Sequence, residues 1–149
     1  VQTCALPIFD RDRRAVHRRD HAPLGRGLLA RRRALACRAL RSYGYHVLEA
    51  ANGPEALRLV EAWAPAAIQL LVTDMVMPQM SGHEMLRRVR RTQDDDDYLP
   101  IVVCTADATD AVRRRALDEG ATDVLTKPFD RAKLLQALEG ALGRREQVG

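Results

Sequence analysis

Ile68-Gln69-Leu70-Leu71-Val72-Thr73 runs directly into Asp74, and the reading of this stretch decides the fold. It is almost continuously apolar over the length of one strand, which marks a strand covered on both faces, as in a parallel sheet. Downstream, Met75 to Ser81 reads as a loop containing Pro78. A helix then runs from Gly82 to about Arg91, with Met85, Leu86 and Val89 turned inward. The pattern repeats twice. Ile101-Val102-Val103-Cys104 leads into Thr105, and the next helix, from about Thr109 to Glu119, closes at Gly120. Asp123-Val124-Leu125-Thr126 leads into Lys127-Pro128, and Asp130 caps a last helix reaching roughly Leu142. Upstream, Tyr45 to Ala50 reads as a strand, broken by Asn52-Gly53-Pro54. Pro54 suits the first turn of a helix running to about Trp63, with Ala56, Leu57, Val60 and Trp63 on one face.

Strands separated by helices imply a parallel sheet with helices on both faces. In such open sheets ligands bind where the strands end. Asp74, Thr105 and Lys127 stand immediately after three successive strands, so a carboxylate, a hydroxyl and an ammonium should share one crevice. A single Asp after a strand is more often a turn or cap residue, and a lysine before proline is often an exposed loop residue. The conjunction of three is far more specific. It suits phosphoryl transfer: the carboxylate as nucleophile and cation ligand, the lysine neutralising phosphate oxygens, the hydroxyl donating to one of them.

These residues carry a resemblance to the receiver domains of two-component, phosphorelay signalling. The matching motifs are Leu71 to Pro78 followed by Ser81-Gly82, then Thr105-Ala106, then Gly120-Ala121-Thr122-Asp123 leading into Thr126-Lys127-Pro128-Phe129. The intervals, 31 residues from Asp74 to Thr105 and 22 from there to Lys127, are typical of that family. The resemblance covers about Arg33 to Leu142. It implies a flavodoxin-like, doubly wound five-stranded sheet of order 2-1-3-4-5. It also implies phosphoryl transfer from a histidine kinase or phosphotransfer protein to Asp74 with Mg²⁺. The metal would be held by Asp74 and the backbone carbonyl of Val76, Lys127 would contact the phosphoryl group, and Thr105 would move toward it. The small Ala106 leaves the site open, and Lys127-Pro128 is a candidate cis bond. Many relatives report the switch through an aromatic three residues before the lysine. Here that position is Val124, which puts such a switch in doubt.

The resemblance fails at the start of the chain. The central first strand should end in two adjacent acids near positions 27 and 28, and Gly27 and Leu28 stand there instead. Cys4 to Phe9 is apolar, but Pro7 argues against a central strand, and the stretch lies far from the first helix. Residues 1–41 carry a charge of +8 and residues 42–149 carry −4, summing to the net +4. Gly25-Arg26-Gly27 can be encoded GGT CGT GGA, which read one base later gives Val-Val-Asp, the expected end of that strand. Val1 to Ile8 resembles translated adapter DNA. Residues 1–32 are therefore expected to be an aberrant, arginine-rich segment, disordered or out of frame, with the receiver at 33–142 and a tail at 143–149. Without its central strand the chain should fold poorly, and without the acids its hold on Mg²⁺ should be weakened or lost.

The remaining expectations follow from composition. A chain of 149 residues with 46% hydrophobic and 30% charged residues suits one globular domain. It has neither a signal-peptide pattern nor a run near the roughly 18 apolar residues of a membrane span. Cys4, Cys37 and Cys104 form no C-x-x-C pair, which suits a reducing cytoplasm. Asp94 to Asp97 reads as a solvated turn, since like charges repel. A receiver dimer is a further partner that the resemblance allows. A nucleic-acid partner rests only on the basic end, and an enzyme acting on other substrates is not expected. The rival binding-module reading is a pseudo-receiver that signals without phosphate; it is favoured by the missing acids and opposed by Asp74, Thr105 and Lys127. The rival enzyme reading, a phosphatase of the haloacid-dehalogenase type, needs a second Asp where Val76 stands.

Overall fold

The computed structural model describes residues 5–9, 36–50, 52–63, 68–75, 79–93 and 98–148. Among them, five strands form one sheet in the order β2-β1-β3-β4-β5: β1 Ala5–Phe9, β2 His46–Val47, β3 Leu70–Asp74, β4 Ile101–Thr105 and β5 Asp123–Thr126. The helices are α1 (residues 36–42), α2 Gly53–Trp63, α3 Gly82–Arg91, α4 Asp110–Asp118 and α5 Arg131–Val148. β3, β4 and β5 are parallel, with Leu71 opposite Ile101 and Val103 opposite Val124.

The strand side chains alternate between two cores. Leu71, Ile101, Val103 and Val124 pack with Ala56, Leu57 and Val60 of α2, Met85, Leu86 and Val89 of α3, and Ala116 of α4. Leu70, Val72, Val102, Cys104 and Leu125 face the other way, onto Cys37 and Leu40 of α1 and Leu134, Ala137, Leu138 and Ala141 of α5. This two-sided burial is why Leu70 to Thr73 carries no alternating polar residue: all four are buried. Local signals set the helix starts. Asn52 Oδ1 accepts the Glu55 N–H, Ser81 Oγ accepts the Glu84 N–H, and Asp130 Oδ1 accepts the Lys133 N–H. Gly120 supplies the positive φ of 112° that ends the α4 turn.

Two expectations are corrected. The central position of the sheet is filled by Ala5–Phe9, which pairs antiparallel with both β2 and β3. The facing edges of β2 and β3 otherwise present unpaired backbone donors and acceptors, a cost that a short apolar strand of either direction removes. Pro7 is tolerated because the β2 ladder uses only Ile8 and Phe9, and because alternate positions of an antiparallel ladder exchange no hydrogen bonds. The sheet is thus not left open at its centre. The second correction is α5, which runs on to Val148 instead of stopping near Leu142. Gly140 and Gly143 resemble helix-stop signals but lie within the helix, the i→i−4 ladder carrying through them. Smaller differences are that β2 spans two residues where Tyr45 to Ala50 was expected, and that β3 begins at Leu70.

A polar knot closes the end of the sheet opposite the strand termini. Arg90, half-buried, donates to Gly120 O through both Nε and Nη2, and to Leu99 O and Gln93 Oε1 through Nη1. Its guanidinium lies over the Tyr98 ring, whose hydroxyl meets Thr122 Oγ1. On the other face, Arg131 ties α5 to α1 by donating to Ser42 Oγ.

Candidate phosphoacceptor site

The carboxyl ends of the three parallel strands build the site. Asp74 ends β3, Thr105 ends β4, and Lys127 follows β5. Backbone bonds across the strand ends hold them in step: Met75 N–H donates to Cys104 O at 2.9 Å, and Lys127 N–H donates to Thr105 O at 2.7 Å. The lysine side chain then folds back, so that Nζ stands 2.8 Å from Asp74 Oδ1. The Lys127-Pro128 bond is cis, as expected.

Burial of the Asp74 carboxyl pushes its pKa up from the ordinary carboxylate value, and the hydrogen bond and charge of Lys127 offset only part of that rise. The ionised carboxylate is thus held at a cost. Cys104, opposite Asp74 in the ladder, is pushed up to about 12, by burial first and by the neighbouring carboxylate second, while Lys127 opposes the rise. It stays a thiol and takes no part in nucleophilic chemistry at neutral pH.

Thr105 is buried, and its Oγ1 accepts the Asp107 N–H at 3.1 Å. It is therefore engaged with the β4–α4 loop. A hydroxyl that accepts one bond still has a proton to donate. Sequence reasoning missed what Gly82 does here. A Cβ on Gly82 would lie 2.7 Å from Asp74 O and 2.8 Å from Met75 Cα, and Gly82 N–H donates to Met75 O at 2.8 Å. The N-terminus of α3 is thus pressed directly onto the Asp74 backbone. The placement of Gly82 just after Ser81 in the loop was the available signal.

Val76, expected to lend its carbonyl to a metal, lies outside the described residues, as do positions 27 and 28 and the run Asp94 to Asp97. Among the described residues no group of three or more His, Cys, Asp or Glu side chains is placed to hold a metal ion. One carboxylate already paired with an ammonium is not the octahedral oxygen set that Mg²⁺ takes. The described residues do not fit the ion.

A doubly wound sheet bearing a carboxylate, a hydroxyl and a lysine on its carboxyl edge defines a signalling domain of the receiver class. Residues 31–139 match the response regulator receiver domain family. The response regulator MprA of Mycolicibacterium vanbaalenii is 41% identical over 107 residues, covering 72% of this chain and 44% of that protein. Among solved structures, the chemotaxis response regulator CheY4 of Vibrio cholerae is similar with a TM-score of 0.66 and 31% identity, over 74% of this chain and 89% of that one. A response regulator from Chloroflexus aurantiacus is similar with a TM-score of 0.67 and 29% identity, over 75% of this chain and 88% of that one. The chain belongs to the response regulator receiver domain family. It spans less than half the length of the curated relatives it matches. Receiver domains of this kind use Mg²⁺ in phosphorylation and work with histidine kinases. No described helix is long and apolar enough to cross a membrane.

Proposed function

We propose that Asp74 is the phosphoacceptor of this domain and that Lys127 and Thr105 read the phosphoryl group once it is attached. The observation that carries the reading is the 2.8 Å contact between Lys127 Nζ and Asp74 Oδ1 at neighbouring strand ends. An Asp74 carboxylate oxygen attacks the phosphorus of a phosphohistidine on a sensor kinase or phosphotransfer protein. The new O–P bond forms as the P–N bond breaks, and the imidazole leaves with the electron pair. Lys127 moves from the carboxylate to a phosphoryl oxygen, neutralising charge where it develops. The added charge of about −1.5 to −2 draws the Thr105 hydroxyl from the Asp107 N–H toward the phosphoryl group. That biases the loop and α4 toward a second arrangement which partners recognise.

In this chain we hold Mg²⁺ support to be weakened, because no group of three ligating side chains is placed for a metal among the described residues and the Asp74 carboxylate already bears the lysine. The domain catalyses only its own phosphorylation and dephosphorylation. The two described cysteines, Cys37 and Cys104, are free, which suits a cytoplasmic setting. Dimerisation with a second receiver is compatible with this role. The phosphate-independent alternative is disfavoured by the intact Asp74–Lys127 pair. Incubation with acetyl phosphate and Mg²⁺ should add the mass of one phosphoryl group at Asp74, and Asp74→Asn should abolish it. Labelling that survives the substitution would sink the assignment. Lys127→Ala and Thr105→Ala should still label while losing the coupled change in α4.

A further inference from the structure

We infer that Arg113 is the releasable strut through which α4 reports the state of the Asp74 crevice, taking the place of the aromatic that position 124 lacks. The inference rests on the phosphoacceptor reading above.

Val124 is buried in the core beneath α2, α3 and α4, so it offers no side chain that could swing between inward and outward positions. Its backbone is treated unusually for an edge strand. The Val124 N–H donates to the Asp123 carboxylate at 2.8 Å. The Val124 carbonyl accepts from Arg113 Nη1 at 3.1 Å, while Arg113 Nη2 reaches Asp123 Oδ1 at 3.2 Å. One guanidinium from α4 therefore grips a carbonyl and a carboxylate of β5, three residues before Lys127. Only the planar fork of arginine offers two donors in that arrangement.

α4 depends on such bonds because its packing is slight: Ala116 is its one buried side chain. Its C-cap residue Glu119 is held by His83 of α3, and also by Arg115. Burial pushes the Glu119 carboxyl up, but those hydrogen bonds outweigh it and hold the group below the usual range. The helix thus has a firm anchor at its C-terminus and the Arg113 fork near its start, just after the loop governed by Thr105. The fork is half-exposed, so water and salt compete for it and it can be given up without disturbing the core. A pull on Thr105 that frees the Asp107 N–H shifts the start of α4, opens the fork, and pivots the helix about Glu119 and His83. The Val124 carbonyl and the Asp123 carboxylate are then uncovered on the outer edge of β5.

The test is hydrogen exchange in residues 110–118 of the full chain, with and without acetyl phosphate, in wild type, Arg113→Ala and Arg113→Lys. Losing the fork should raise exchange by about tenfold, the scale of one lost hydrogen-bonded contact. Wild type should show that rise only after Asp74 is labelled. Arg113→Ala should show it without the donor and respond less than about twofold to labelling. Arg113→Lys, with one arm of the fork, should fall between them. A merely structural arginine would raise exchange while leaving the response to phosphate intact, which overturns the inference. So does donor-free exchange in Arg113→Ala that matches wild type. If wild type takes no phosphoryl group, the phosphoacceptor reading falls. The donor-free comparison still decides whether the fork holds α4.

Discussion

The sheet has two halves built by different rules. In β3, β4 and β5 each strand is followed by a helix that carries the chain back, and the three run parallel with their polar termini gathered at one edge. β2 obeys the same rule, since α2 follows it and leads into β3, but β1 has no such unit among the described residues, and 26 residues separate Phe9 from the described start of α1. There the central slot is occupied by a strand running the other way. The contrast separates what a crossover connection imposes from what a sheet merely requires. Crossovers dictate direction and so collect the chemistry. An unfilled slot asks only for backbone partners, and it accepts them from either direction.

The sharpest way to break this contrast is to damage each half in turn. Leu71→Ala, at a fully buried β3 position, should cost about 2–5 kcal/mol, whereas Pro7→Val should change stability by less than about 1 kcal/mol. Urea unfolding of both variants measures the ratio. A Pro7→Val effect as large as that of Leu71→Ala would mean that the two halves are equally specified.

Next in size is Gly82→Ala, which drives a Cβ against the Asp74 and Met75 backbone, neither of which is a flexible side-chain tip. It should cost about 1–3 kcal/mol and displace the carboxylate from Lys127. Calorimetry together with the rate of acetyl phosphate labelling would register both. Unchanged stability would show the α3 N-terminus to be less rigidly seated than the strand ends.

Asp74→Asn acts on the parallel half with the opposite sign. Because burial raises the folded-state pKa of Asp74, the folded chain holds its proton more tightly than the unfolded chain does. The carboxylate therefore costs stability at pH values above the raised folded pKa, and the cost is relieved as pH falls through that pKa toward the ordinary carboxylate value. The asparagine variant should melt a few degrees above wild type at pH 7, with the gap closing as pH falls. Parallel melting curves at all pH values would exclude the carboxylate as the source.

The smallest effect is expected on the open side of α5. Gly140 lies within α5 with nothing within 4 Å of an added Cβ, so Gly140→Ala should stabilise by about 0.5–1 kcal/mol. A loss of stability, read by thermal melting, would mean that this glycine serves a contact absent from the isolated chain.

What sequence alone disclosed follows the same division. Asp74, Thr105 and Lys127 were legible because each ends an apolar run, and strand ends in a parallel sheet must converge. The α4 boundaries were legible in Thr109 and Gly120, since caps are local. β1 was not legible, because Pro7 was weighed as though every central position had to donate to a neighbour on each side. The end of α5 was less legible, because Gly143-Arg144-Arg145-Glu146-Gln147 offers no apolar residue to mark a buried face, yet the helix runs through it to Val148. The Arg113 fork left no trace in the pattern: a side chain reaching a backbone carbonyl in another element has no periodicity and no motif.

The Arg90 knot has a consequence for how the chain is made. Its two bonds to Gly120 O join residues 30 apart, so during synthesis Arg90 must wait for that carbonyl. At roughly 5–20 residues per second the wait is about 1.5–6 s, plus the time for the segment to clear the ribosomal tunnel. Until then α3 has its own cap, its apolar face and the bond from Arg90 to Leu99 O, but not the two bonds that tie it to the start of β5. Nascent chains stalled before Gly120 should therefore remain open to chaperones and proteases, and those stalled well beyond it should be closed to them.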